Sequence, residues 1–383
     1  MRIGIVTGEY PPMVGGVGAY CQILARELTQ QGHYVSVFSS YAAQNTDQNI
    51  TVYNSVRKWG FNSLRAIQVW ANLEQLDIVN LQFQTAAFGM SPWIHFMPDI
   101  LRNIPIVTTF HDLRFPYLFP KAGKLRQWIV MRLATASKGV IVTNHEDQLQ
   151  LKHLAKVTLI PIGSNILKSV SKNFDAQVWR EKAGAQDREF LLAYFGLFNR
   201  SKGLETLLES FAKLRKDRVP ARLLMIGGGA GTSDPTNAAF MDEINQQIKR
   251  LGLVIFVQQT GFLDDAQVSA YLTASDAVVL PFADGASYRR GSLMAAIRYG
   301  CAIITTTPQV AIPAFQNGDN MLMVKPGDDA ALTEAIQQVY ESHKLRGKLQ
   351  KGASELAHTF DWSAIAAATI NYFRWVFAGS TPA

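Results

Sequence analysis

Short apolar runs, each closed by a loop and followed by a helical stretch, recur from one end of the chain to the other. Ile3 to Val6 reads as a first strand. Val17 to Gln31 reads as a helix, with Cys21, Leu24 and Leu28 spaced for one buried face and Gly32 as its stop. Tyr34 to Phe38 is the second strand, followed by Ile78 to Leu81, Ile106 to Thr109, Val140 to Thr143 and Val157 to Ile160. Ser164 to Glu189 is polar and charged and reads as a linker with one short helix. The alternation then restarts with Leu191 to Phe195, Leu223 to Ile226, Ile255 to Val257, Val278 to Leu280 and Ile303 to Thr305. Parallel strands need crossover connections, so this order predicts an α/β fold of doubly wound, mainly parallel sheets. At 383 residues two domains are expected. They are placed at 1–168 and 169–360, with an aromatic helix in 361–383 packing back on the first.

Composition narrows the partners. A chain 48% hydrophobic and 17% charged buries a core. No run approaches the ~18 apolar residues of a membrane span, and the first residues lack a signal-peptide cleavage pattern. Cys21 and Cys301 are expected as buried reduced thiols of a cytoplasmic protein, a bridge between them being the alternative. The net charge, 37 − 30 = +7, favours anionic partners. The basic residues form no single block and no aromatic–basic RNA motif is present, so nucleic acid is not expected.

Open parallel sheets bind ligands beyond the carboxyl ends of their strands. Five post-strand loops carry suitable chemistry. Gly8 to Gly18 contains Gly15, Gly16 and Val17, where backbone approaches a ligand closely. Its glycines come too late for the dinucleotide fingerprint and lack the G-x-G-x-x-G spacing. Phe110-His111-Asp112 follows a strand, and His111 there can donate to a sugar hydroxyl or shuttle a proton. Asp112 either orients it or caps the next segment. Gly196 to Gly203 sets Lys202, with Arg200 nearby, within reach of a diphosphate. Gly227 to Gly231 either admits a nucleotide or is a plain turn. Asp284 to Gly300 opens a helix between two strands, and its amides with Arg289 and Arg290 suit a phosphate or pyrophosphate. His145, Glu146 and His153 lack zinc-site spacing, so no metal is expected. Lys121, Lys124, Arg126, Arg132 and Lys138 surround Trp128, Ile129, Val130 and Leu133. That segment is either a solvated helix with a core face or a basic amphipathic one for an anionic membrane surface.

Taken in order, these motifs resemble the retaining GT-B-type glycosyltransferases of the family-four class. The likeness spans nearly the whole chain: Glu9-Tyr-Pro-Pro with Gly15 to Gly18, Thr109 to Asp112, Leu159 to Gly163, Gly196 to Gly203, Ala274 to Pro281, Gly300 to Thr305 and Phe360-Asp361-Trp362. It implies two Rossmann-like domains facing a central cleft, with the acceptor side in the first and the nucleotide-sugar donor in the second. It also implies a nucleotide-diphosphate sugar as donor, no cofactor, and transfer to a glycan or lipid-linked hydroxyl with retained configuration. By that resemblance Gly15, Gly16 and Val17 lie by the donor phosphate and sugar, and His111 contacts the sugar. Lys202 matches the lysine that neutralises the leaving diphosphate, and Arg290 with Arg289 would compensate for lost phosphate contacts. The loop of Arg289, Gly291, Ser292 and Leu293 falls where backbone amides bind phosphate, and Arg200 is a candidate to help there. Leu197 stands where the family commonly has arginine. Ser287 and Ala295 stand where it has two glutamates eight apart, so Asp284 or Ser287 is a candidate substitute for the first. Alanine cannot hold a ribose hydroxyl. Some relatives share the double-arginine loop, which points to a subgroup. Bacterial polysaccharide or glycolipid assembly at the inner membrane face would suit the class. Two alternatives stay open: a nucleotide-sugar 2-epimerase, for which no convincing carboxylate set is present, and a non-catalytic protein binding a glycan or partner.

Overall fold

The computed structural model of the protein describes residues 1–13, 15–45, 47–113, 123–166, 169, 173–228 and 235–379; side chains of 123–126 and 235–238 are outside that description. The chain divides into two compact units, residues 1–165 with 361 onward, and residues 166–360.

The first unit runs β1 (Arg2–Thr7), α1 (Gly16–Gln30), β2 (Tyr34–Ser40), β3 (Thr51–Val56), α2 (Phe61–Leu73), β4 (Ile78–Phe83), a 3-10 turn (Trp93–Phe96), α3 (Met97–Ile100), β5 (Ile106–Phe110), α4 (Gly123–Ala136), β6 (Gly139–Val142), α5 (His145–Gln150) and β7 (Val157–Leu159). Its strands pair in parallel in the order β3-β2-β1-β4-β5-β6-β7. Every residue of β4 is buried. Val79, Leu81 and Phe83 enter a core with Trp70 and Leu133, while Ile78 faces a second core with Cys21, Leu24 and Leu28 of α1. Alternate residues of a strand face opposite sides, so Asn80 and Gln82 lie on the α1 face. The strand β3 was not expected from the sequence. It is an edge strand with mostly exposed residues, so it has no apolar run to announce it.

The second unit runs α6 (Ala176–Lys182), β8 (Phe190–Phe195), a 3-10 turn (Arg200–Lys202), α7 (Leu204–Lys216), β9 (Ala221–Ile226), α8 (Pro235–Arg250), β10 (Val257–Gln259), α9 (Asp265–Ala274), β11 (Ala277–Leu280), α10 (Gly291–Arg298), β12 (Ile303–Thr306), β13 (Leu322–Val324), α11 (Asp329–Glu341) and α12 (His343–Ala357). Its parallel order is β10-β9-β8-β11-β12-β13. The short helix α6, read from the sequence as part of a linker, packs Trp179 edge-on against Tyr271 of α9, with ring centroids 4.8 Å apart. Arg180 pairs with Asp276 at 2.9 Å. It is therefore built into the second unit.

The last helix, α13 (Trp362–Phe377), rejoins the first unit. Trp362, Ile365, Ala366, Ile370 and Phe373 share the α1-side core, and Trp362 Nε1 donates to the Ser164 carbonyl at 2.8 Å. In each sheet the strand order reverses once, between β1 and β4 and between β8 and β11. Those reversals open a crevice beyond the strand ends where ligands of such folds bind.

Candidate functional site

In the first unit, the loop after β1 and the loop after β5 are brought together through α1. Gly15 is the extended N-cap of α1 and offers no side-chain cap. The leading amides of a helix have no intrahelical acceptor, so Gly16 and Val17 present N–H groups outward. A Cβ on Gly15 would overlap the Glu9 carboxylate, whereas one on Gly16 would meet open space. One turn into α1, the buried ring of Tyr20 packs edge-on against His111, centroids 4.8 Å apart.

The backbone N–H of His111 continues the ladder to Phe83 O at 3.0 Å. Its Nε2 lies 2.8 Å from Gln82 Oε1. Gln82 Nε2 in turn bonds Asn80 Oδ1, and Asn80 Nδ2 donates to the Val107 carbonyl at 3.0 Å and to Thr109 Oγ1 at 2.9 Å. Burial pushes the imidazole down to about 4, so it is neutral at pH 7. Asn80 and Gln82 were not singled out from the sequence. Their signal was two amides two residues apart in the otherwise apolar run Ile78 to Phe83, since buried amides must be hydrogen-bonded.

In the second unit, the loops after β8 and β11 clasp each other at the switch point. Asn199 caps the Arg200–Lys202 turn, its side chain accepting from Ser201 N at 3.2 Å. Gly203 ends the turn in the left-handed region (φ 70°), and a Cβ there would overlap the Pro281 carbonyl oxygen. Ala283 N donates to Ser201 O at 3.1 Å. This clasp sets Lys202 Nζ 5.3 Å from the ring centroid of fully buried Phe282, with Arg290 Cζ 4.8 Å from the same centroid. Burial and the neighbouring Arg290 charge push the Lys202 ammonium down to about 8. Among the described residues Lys202 has no carboxylate partner. Arg290 is bound to Asp284.

Arg290 is also the N-cap of α10, with no side-chain cap. Leu293 N donates to Arg290 O at 2.8 Å. The Leu293 amide, expected at the phosphate, is therefore spent in closing the first turn. The amides of Gly291 and Ser292 are left to face outward. The Ser292 hydroxyl is buried and has no hydrogen-bond partner among the described residues.

The other expected residues have different surroundings. Arg200 is 69% exposed and held by Glu243 at 2.6 Å and Glu205 at 3.5 Å. It is drawn to those carboxylates rather than gathered with Lys202 over Phe282. Asp284 is occupied by Arg290, which makes it a support for that arginine. Ser287 is buried, and its carbonyl accepts from Arg290 N at 3.1 Å. Ala295 is fully buried within α10. Arg289 is half-buried. Gly227, with φ 109°, brings its backbone against Gly196; Gly229 to Gly231, Lys121 and the side chains of Lys124 and Arg126 lie outside the described residues. Cys21 and Cys301 are buried thiols not joined in a disulfide.

A doubly wound unit with two cations, an uncapped helix start and an unsatisfied buried hydroxyl at its switch point is chemically suited to a diphosphate. Preceded in the same chain by a second doubly wound unit, it has the plan of a GT-B sugar-transferring enzyme. Residues 14–166 match the family model described as Glycosyltransferase Family 4, and residues 175–356 the one described as Glycosyl transferases group 1. The chain is 23% identical over 395 residues to the phosphatidyl-myo-inositol mannosyltransferase of Mycobacterium leprae, covering 98% of this chain and 97% of that protein. It is 25% identical over 304 residues to an alpha-monoglucosyldiacylglycerol synthase of Streptococcus pneumoniae, covering 72% of this chain but only 65% of that relative's length. The structure of Anabaena HepE in complex with UDP and glucose superposes with a TM-score of 0.75 at 18% identity, over 97% of this chain and 98% of that one.

The chain belongs to the family-four glycosyltransferases, retaining enzymes of the GT-B fold that move a sugar from a nucleotide-diphosphate sugar. No helix among the described residues is long and apolar enough to cross a membrane.

Proposed function

We propose that this enzyme takes its sugar from a UDP-sugar and places it, with retention, on a lipid-linked hydroxyl at an anionic membrane surface. Residues 169–360 are assigned to the donor and 1–168 to the acceptor. The observation that carries the donor assignment is the pair Lys202 and Arg290 over Phe282, beside the bare start of α10. Arg290, though paired with Asp284, adds to the burial that disfavours the Lys202 charge, and a diphosphate supplies Lys202 with a counter-charge. Gly291 N, Ser292 N and Ser292 Oγ supply further donors, and Arg289 adds positive charge. Such preorganised groups stabilise the charge that develops on the leaving diphosphate. The departing phosphate itself takes the acceptor's proton. The amides of Gly16 and Val17, at the turn formed by Gly15, and His111 act on the transferred sugar. UDP is favoured because the structural relative HepE is seen with UDP and glucose.

The lipid acceptor is favoured by relatives named for glycosylating diacylglycerol and phosphatidylinositol lipids, and by one surface of the first unit. Trp128 on α4 is 54% exposed, Trp93 46% and Phe61 39%. The Phe61 and Trp93 rings touch, with centroids 5.7 Å apart, and α4 packs on the turn that carries Trp93. Exposed tryptophans beside basic residues suit the headgroup region. The membrane-docking segment expected at Lys121 to Lys138 is supported by Trp128 and exposed Lys138, while Arg132 is tied to Asp99 at 2.8 Å.

The test is calorimetry with UDP, GDP and ADP, followed by transfer from the matching sugar nucleotides to diacylglycerol- and phosphatidylinositol-containing vesicles. Selective UDP binding with lipid glycosylation is expected. Tighter GDP or ADP binding overturns the donor assignment. Turnover only on soluble glycans overturns the acceptor assignment, and conversion of donor alone to its 2-epimer overturns transfer.

A further inference from the structure

We propose that Gln82, itself fixed by Asn80, is a positioning residue that holds His111 as the Nε2–H tautomer, so that His111 offers Nδ1 to a substrate hydroxyl as a hydrogen-bond acceptor. The proposal rests on the assignment of His111 to the sugar made above. The direction of every bond in the chain follows from its far end. The Val107 carbonyl can only accept, so the Asn80 group 3.0 Å from it is the amide nitrogen. Asn80 Oδ1 therefore faces Gln82 and takes its N–H. Gln82 Oε1 is then left toward His111 Nε2 at 2.8 Å, and a carbonyl oxygen there requires a proton on that nitrogen. The hydrogen bond made by one ring nitrogen sets the state of the other. In the neutral ring Nδ1 keeps its lone pair.

The surroundings lock this arrangement. Asn80 and Gln82 are 1% and 0% exposed, so neither amide can turn over without stranding a buried donor or acceptor. β4 pairs with β5 in register, Asn80 opposite Val107 and Gln82 opposite Thr109, which fixes both amides to the strand that ends at His111. Tyr20 packs edge-on against the ring, and the His111 backbone is bonded to Phe83. The desolvated, neutral state of the ring agrees with this assignment. The sequence leaves His111 either donating to a sugar hydroxyl or shuttling a proton. With Nε2–H committed to Gln82, the remaining nitrogen accepts instead. A hydroxyl whose proton points at Nδ1 turns its oxygen lone pairs elsewhere, so the relay orients the substrate rather than removing a proton from it.

The experiment uses the full chain. Nitrogen-15 spectra of histidine-labelled protein, with the His111 signal assigned by loss in His111→Ala, should show Nε2–H and unprotonated Nδ1 at neutral pH without any substrate. A protonated Nδ1 in the wild type overturns the proposal. In Gln82→Met, where the buried Nε2–H loses its acceptor, the tautomer should shift and turnover should fall about tenfold or more, with the donor KM nearly unchanged. In Gln82→Glu the acceptor is retained, but the carboxylate stabilises the imidazolium. Nδ1 is then protonated up to higher pH, and the acidic limb of the turnover profile should move upward, with activity recovering as pH rises. Variants whose thermal unfolding shows an intact fold but whose tautomer and pH profile match the wild type overturn the relay. If His111→Ala keeps full turnover, the assignment of His111 to the sugar fails instead, whatever the tautomer is.

Discussion

Replacing Lys202 by methionine separates charge from packing. Its ammonium, depressed to about 8 by burial and by Arg290, is still protonated in about nine molecules of ten at pH 7. A charge-assisted bond to a diphosphate oxygen contributes ~1.5–3 kcal/mol, so Lys202→Met should weaken UDP binding about 10- to 150-fold. The methionine chain keeps contact with Phe282. The same substitution should stabilise the unliganded protein. Between about 8 and the ordinary lysine value of 10.5 the folded state binds fewer protons than the unfolded one, so stability rises with pH through that window. Below it the buried charge costs up to about 3 kcal/mol, which methionine removes. Binding has the opposite linkage. A diphosphate draws the Lys202 pKa back up, so UDP binding takes up a proton near and above pH 8, and affinity falls as pH rises. The assay is titration calorimetry at pH 7 and pH 9 in buffers of different ionisation enthalpy, with thermal unfolding of both proteins in parallel. Wild-type affinity in Lys202→Met, or wild-type binding without buffer-dependent heat at pH 9, would refute the assignment.

Three other outcomes are expected. His111→Ala should lower turnover ~10²-fold while free UDP affinity stays nearly constant, the pattern of an interaction made mainly in the transition state; steady-state rates and calorimetry on one preparation decide it. Transfer should proceed in EDTA, because Lys202, Arg290 and the α10 amides supply the positive charge; loss of activity restored by manganese or magnesium would contradict this. Trp128→Ala with Trp93→Ala should weaken co-sedimentation with anionic vesicles at low salt without changing UDP affinity, and unchanged sedimentation would remove this surface from membrane docking.

The repeated strand–helix alternation was legible in the sequence because each central strand is buried on both faces and so reads as an apolar run. The edge strand Thr51–Val56 escaped for the converse reason. The loops at the strand ends were legible too. Glycine at 203 is favoured locally by its positive φ, and the Pro281 carbonyl that a distant loop brings against it adds to that demand; at 15 a side chain would have to displace the Glu9 carboxylate. Lys202, Arg290 and His111 could be named from the chain alone as residues that follow strands.

What each of them does there was decided by contacts distant in sequence. Arg200 and Lys202 are two residues apart, yet one is drawn out to Glu243 and the other is held over Phe282 by a clasp between loops about eighty residues apart. Asp284 became a partner for Arg290, and the amide of Leu293 was consumed by the helix it opens. The proton on His111 is set by a strand twenty-nine residues earlier. Periodicity and turn chemistry are local properties, so the sequence displays them directly. Hydrogen-bond direction, desolvation and the pairing of charges depend on which neighbours the folded sheet brings within a few ångströms, and only the tertiary structure supplies those.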